Sequence, residues 1–221
     1  TGKVTATLDP ATTIDAALVT ALKDVKATDV ITFVPTDNTL SGNAEINALI
    51  SLNKILPKAD WSSIATIEGT ANDVSIIKQA LAIAKNPLLA VTIDNTTIIS
   101  AEDANAIAKL AGGALTAKIQ DGTVAATLKA LANVDATDAL TFTSTDKTVK
   151  ATDLVALNSK IKTGTYTSIE TITADAKDVS YVSAALAVAN GADVTITGTI
   201  TAAQANAIAA NANAGDLTAI V

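Results

Sequence analysis

The chain carries the same text twice, and this excludes two unrelated domains. The segment LKDVKATDVITFVPTDNTL at residues 22–40 returns as LANVDATDALTFTSTDKTV at residues 131–149. SSIATIEGTANDVSIIKQALAIA from Ser62 returns as TSIETITADAKDVSYVSAALAVA from Thr167, and VTIDNTTIISAEDANAIA from Val91 returns as VTITGTITAAQANAIA from Val194. The offsets are 109, 105 and 103 residues, in order, so the halves differ only by small deletions. Even the single tryptophan, Trp61, falls opposite Tyr166. Internal repetition on this scale predicts an architecture built by stacking similar pieces. Here the pieces are halves 1–112 and 113–221 of one continuous solenoid.

A shorter period lies inside each half. Strands are expected to begin near Val4, Val30, Ile64, Leu89, Leu115, Ala139, Ile169, Val194 and Leu217, at spacings of 23 to 34 residues. Most alternate strictly. Val4, Ala6 and Leu8 oppose Thr5 and Thr7, and Leu115, Ala117 and Ile119 oppose Thr116 and Lys118, which gives one buried and one wet face. Between strands the period becomes helical, in the stripes Ile14, Leu18, Leu22, Val25 and Val124, Leu128, Leu131, Val134. Val74, Ile77, Leu81, Ala84 and Val179, Val182, Leu186, Ala189 repeat the pattern. Pro10 reads as a first-turn residue, and Ser100 with Asp103 as a capping box. Gly112-Gly113 and Gly215 read as helix stops.

Strand–helix–strand connections without hairpin turns require a parallel sheet. A doubly wound sheet buries both faces and makes its strands apolar throughout. The Thr face retained here places helices on one side only. The expected fold is therefore α/β, a strand–helix repeat solenoid with a parallel sheet, helices on one face and an internal duplication. An ordinary α/β sheet and helix packing without a continuous sheet are the alternatives. The chain is expected to open on a strand at residues 2–8 and close on one at 217–221, without polar caps. Thr1 reads as a processed or excised start. Uncapped solenoid ends expose unpaired backbone groups, so these edges predict a piece of a longer array or a subunit that stacks end to end.

Composition narrows the chemistry. The 221 residues include no Cys, Met, His or Arg, and Ala and Thr, at 46 and 34 residues, make up over a third of them. No thiolate, imidazole or guanidinium is available for nucleophilic, metal or phosphate chemistry. A net charge of -7 argues against nucleic-acid and anionic-membrane partners. Although 49% of residues are hydrophobic, no apolar run approaches the roughly 20 residues of a spanning helix.

The candidate sites are correspondingly few. Glu102-Asp103 is a carboxylate pair, while Asp29 and Asp138 precede strands and Asp37 and Asp146 follow them. At such joints Asp is expected to bond nearby backbone N–H groups. Calcium is the one metal the inventory permits, through Asp37-Asn38, Asp94-Asn95 and Asp146, but no EF-hand loop or glycine-rich nonapeptide repeat accompanies them. No catalytic, metal or cofactor site is assigned. The T-x-T pairs Thr5/Thr7, Thr141/Thr143, Thr171/Thr173 and Thr195/Thr197 would form a regular hydroxyl and methyl array like that of ice-binding solenoids, interrupted by Lys118 and Glu170. Thr is also simply a good strand former. Trp61 and Tyr166 could stack on a sugar, but equivalent places in a duplication favour a shared packing role.

The units ISAEDANAIAKLAGGALTAKIQD and ITAAQANAIAANANAGDLTAIV share a motif of the form ANAIA…G-x-(V/L)-T-A. They resemble repeats of very large secreted bacterial proteins, notably cyanobacterial cell-surface proteins. The resemblance implies an extracellular, adhesive or coat-forming role without chemistry. The calcium-binding hemolysin-type repeat that often accompanies such proteins is absent from this sequence. The expectation is a structural, non-enzymatic repeat protein of an extracellular bacterial surface, joined end to end into a filament or coat through its terminal strands. The alternatives are an adhesive or glycan-binding segment of a giant secreted protein and, behind it, ice or crystal binding through the Thr face.

Overall fold

The computed structural model describes residues 4–26, 28–211 and 213–221. The expected strand start at Gly2 and the reading of Thr1 lie outside the described residues. The chain divides into two compact units, Thr1–Lys118 and Ile119–Val221. The boundary falls past residue 112 because the strand Leu115–Lys118 pairs with the strand before it and belongs with the first unit.

In the first unit the order is β1 (Thr5–Thr7), α1 (Ala16–Ala21), β2 (Val30–Thr32), β3 (Thr39–Ser41), α2 (Gly42–Ile55) and β4 (Thr66–Gly69). A 3-10 turn (Ala71–Asp73), α3 (Val74–Ala84), β5 (Ala90–Ile93), α4 (Ala101–Leu110) and β6 (Leu115–Lys118) follow. The second unit holds α5 (Val124–Ala130), β7 (Ala139–Thr143), β8 (Thr148–Lys150), α6 (Ala151–Asn158), β9 (Thr163–Thr165) and β10 (Thr171–Asp175). It continues with a 3-10 turn (Ala176–Tyr181), α7 (Val182–Val188), β11 (Asp193–Thr199), α8 (Ala202–Ala209) and β12 (Leu217–Ile220). The fold is α/β, with parallel sheets and helices alternating with strands.

All nine expected strands fall on strands of the structure, and three short ones, β3, β8 and β9, were not expected. They change the pairing. Instead of one ladder, the first unit has β1 beside β2 and a separate run β3–β4–β5–β6. The second unit has β7 beside β9 and the run β8–β10–β11–β12. The chain bends after β2 and after β7, and pairing passes to the second leg. In the first unit Pro35 lies in that bend without an N–H to donate, and Asp37 turns its carboxylate to the backbone of Ile14 at 2.9 Å.

Register explains the core. Leu40, Ile67, Val91 and Leu115 are aligned partners across β3 to β6, and all four are fully buried. Val149, Ile172, Val194 and Leu217 form the matching row across β8 to β12. Burying each such aliphatic side chain contributes about 1.5–3 kcal/mol. The next residues form a wet row, Ser41, Glu68, Thr92 and Thr116 in one unit and Lys150, Thr173, Thr195 and Thr218 in the other.

The helical stripes are buried as expected at Ile14, Leu18, Leu22, Val74, Ile77, Leu81, Ala84, Val124, Leu131, Val134, Val182, Leu186 and Ala189. Val25, Leu128 and Val179 are only half-buried. Beside Leu128, Thr127 is buried instead. Within each unit consecutive helices pack together: α1 on α2, α2 on α3, α3 on α4, then α5 on α6 and α6 on α7.

Helix starts follow side-chain capping. Ser100 accepts the Asp103 N–H at 3.0 Å, and Thr201 with Gln204 forms a reciprocal box. Pro10, expected in a first helical turn, precedes the helix. Asp15 is the N-cap, accepting the Leu18 N–H at 2.8 Å, and the Pro10 carbonyl accepts from Thr36. Gly112 and Gly113 do follow α4, but their reason is proximity. A Cβ at Gly112 would lie 2.0 Å from the Pro87 carbonyl oxygen, and one at Gly113 2.5 Å from that of Leu88.

Candidate functional site

The acidic residues at the joints are engaged by backbone. Asp37 accepts the Ile14 N–H at 2.9 Å, and Asp146, its equivalent, accepts the Val124 N–H at 2.6 Å. Each thus holds the start of a helix one strand–helix unit earlier. Asp29 accepts N–H groups from Val4 and Lys26, which hold its carboxyl below the usual carboxylate range. Asp138 accepts the Asp135 N–H in the same way. Asp94 closes its own turn on the Thr96 N–H at 2.9 Å.

The calcium candidates are therefore dispersed. Among the described residues no group of three or more acidic side chains converges to hold a metal ion. Nor is Glu102-Asp103 a paired acid. Asp103 binds Lys78 Nζ at 2.9 Å and accepts from the Ser100 hydroxyl, contacts that lower its pKa, led by Lys78.

Threonines do line up. Thr173, Thr195 and Thr218 are consecutive partners across β10, β11 and β12, and Thr92 pairs with Thr116. Their neighbours in these wet rows, Lys150 and Glu68, break the array into short pieces.

Trp61 and Tyr166 are packing residues, 3% and 5% exposed. Trp61 meets Phe33 edge-on at 5.7 Å and donates Nε1–H to Asn53 at 3.1 Å. Tyr166 lies 6.3 Å from Phe142, its hydroxyl buried without a partner, and burial pushes its pKa to about 12. Neither ring face is open to a sugar.

A polar cleft of about 330 Å³ opens at the carboxyl ends of β8, β10 and β11. Lys150, Thr173, Asp175 and Thr197 line it from the strands, and Asp153 and Asp178 from the segments that follow. Its position is the one where open α/β sheets bind ligands. Of these residues the sequence pattern marks only Thr173 and Thr197, as members of T-x-T pairs, and none as part of a cleft. The available signal was the exchange of Ser41, Glu68 and Thr70 in the first half for Lys150, Thr173 and Asp175 in the second.

Six strands end their sheets among the described residues, β1, β2, β3, β8, β9 and β12, and two of these, β1 and β12, lie next to the ends of the chain. β1 pairs only with β2, and β12 only with β11. Val4 is 52% exposed, Ile220 65% and Val221 66%. No helix of the described residues is long and apolar enough to cross a membrane. In comparisons with known proteins, no family model, no curated protein and no solved structure matches the chain.

Proposed function

We propose that the chain is a structural, non-catalytic repeat protein of an extracellular bacterial surface, joined end to end into a filament or coat. On this reading it is a strand–helix solenoid with helices on one face, formed by duplication. The observation that carries the proposal is the pair of open parallel edges, β1 and β12, with apolar Val4, Ile220 and Val221 exposed at them. An unpaired row of N–H and C=O groups beside apolar side chains is a template for another strand. The surface location rests on the resemblance of the ANAIA…G-x-(V/L)-T-A units and is tested by locating the protein in its native cells. Substituting Thr5→Pro or Thr218→Pro removes a backbone donor from an edge strand. Loss of filaments by electron microscopy in at least one of the two variants is expected, and filaments unaffected by both would end the proposal.

A second reading, a binding segment for a polyhydroxylated ligand such as a cell-surface glycan, draws on the polar cleft at Lys150, Asp153, Asp175 and Asp178. A glycan array with the wild type and Asp175→Ala separates it from the first. Signal lost in the variant favours binding, and no signal with either protein removes it. Ice binding through the Thr face has only the short rows at Thr173, Thr195 and Thr218 behind it, and a thermal hysteresis assay decides it.

A further inference from the structure

Three strands carry one motif: GKVTATL at residues 2–8, GALTAKI at 113–119 and GDLTAIV at 215–221. The last two are placed alike. Leu115 is the register partner of Val91 as Leu217 is of Val194. The Gly113 N–H donates to Leu89 as the Gly215 N–H donates to Ala192, at 3.0 and 2.9 Å. The first strand, β1, shows what the other edge of this motif accepts. There β2 lies beside it, with Thr5 opposite Val30, Ala6 opposite Ile31 and Thr7 opposite Thr32. The Val30 N–H donates to the Val4 carbonyl at 2.8 Å, and the Leu8 N–H to the Thr32 carbonyl at 2.9 Å.

Transferring these contacts by the motif makes Leu217 the counterpart of Val4, Ile220 of Thr7 and Val221 of Leu8. The Val194 N–H donates to the Asp216 carbonyl at 2.8 Å. Alternation along a parallel strand then turns the polar groups of Leu217 toward the open edge, as those of Val4 are turned toward β2. The open edge of β12 is thus complementary to β2.

We propose that end-to-end joining is a strand exchange, in which β12 of one molecule takes the place of β1 against β2 of the next. The inference rests on the assembly reading above and specifies its contact. Simple abutment of β12 on β1 would set two G-x-(V/L)-T-A strands side by side. At β1 the neighbour on that side is β2, a strand without this motif, and exchange restores that pairing for β12. The strand given up is weakly held: Val4 to Thr7 of β1 are all exposed, whereas the same motif in β6 has Leu115, Ala117 and Ile119 fully buried.

The absence of native cysteine makes the contact directly readable. Ile220, Thr32 and Thr7 are all exposed, so Ile220→Cys, Thr32→Cys and Thr7→Cys leave the core untouched, and circular dichroism checks each fold. Ile220→Cys protein is mixed with either partner variant under assembling conditions, oxidised, and the mixed disulfide dimer quantified by mass spectrometry. Exchange predicts a several-fold excess of the 220–32 cross-link over the 220–7 cross-link. An excess of 220–7 overturns exchange and leaves end-to-end assembly standing. Assembly in the microscope with neither cross-link also overturns exchange, and a wild type that stays monomeric overturns the assembly reading itself.

Discussion

The two halves solve the same position differently where the wet row meets the following helix. In the first unit Ser41 Oγ donates to Glu68 at 2.9 Å, Asn43 donates to Asp73 at 2.9 Å, and Thr70 and Asp73 form a reciprocal cap. The surface is sealed by hydrogen bonds. The second unit puts Lys150 and Thr173 in the places of Ser41 and Glu68, and Asp175 and Asp178 in those of Thr70 and Asp73. Asp175 makes no side-chain cap bond, and the cleft remains. The buried rows on the other side of the same strands stay aliphatic in both halves. Between the two similar halves the packed face keeps its residue types while the wet face differs.

The largest expected contrast is at the aromatic pairs. Trp61→Ala removes a buried ring and its bond to Asn53 and should cost about 3–5 kcal/mol in denaturant unfolding. Should the cost fall below that of an ordinary surface change, Trp61 is not the packing centre described here. Next comes Gly112→Ala, whose new Cβ would meet the Pro87 backbone. It should cost about 1–3 kcal/mol. The equivalent residue in the second half is already Ala214, but there the counterpart of Pro87-Leu88 is Asn190-Gly191, in which Gly191 has φ of 83°. Replacing Pro87-Leu88 by Asn-Gly should therefore rescue Gly112→Ala, and absence of rescue would show that the two turns are not equivalent.

Smaller effects sharpen the sealed and open versions. Asp73→Ala strips a cap and should cost about 1 kcal/mol, while Asp178→Ala should stay within about 0.5 kcal/mol. Equal costs by chemical denaturation would erase the distinction. Tyr166→Phe removes a buried hydroxyl without a partner and should stabilise by about 1 kcal/mol, visible as a raised unfolding midpoint.

The pH response follows from depressed carboxylates. Asp73, held down first by the Asn43 amide, titrates below its unfolded value, as do Asp29, Asp60, Asp103 and Asp135. Their stabilisation is complete above the unfolded value of about 3.9 and is lost as pH falls through the folded values. With no histidine, thermal stability should be nearly flat between about pH 5 and pH 8 and fall below about pH 4. Asp73→Asn should shallow that fall; an unchanged slope would remove Asp73 from the account.

How much of this was legible in the text depends on the range of the interaction. β6 was readable because Leu115, Ala117 and Ile119 alternate with Thr116 and Lys118, and each residue reports its own face. β3 and β8 were not, because TLS and TVK are too short to show a period. They are strands only because β4 and β10 offer partners. The cap at Ser100 was local and visible, whereas the Asp146 bond to Val124 spans 22 residues and required the fold. The cleft was hidden for the same reason, since Lys150, Asp175 and Thr197 meet only through the register of three strands.

The sequence by itself determined the α/β alternation, the nine main strands and most of the buried face of α1, α3, α5 and α7. These depend on periodicity, and a periodic residue carries its environment with it. Tertiary structure alone decided where the ladder changes legs after β2 and β7, which face was sealed and which left open, and which edges remain unpaired. Those are properties of pairs of segments, set by a backbone hydrogen bond that neither segment can specify alone.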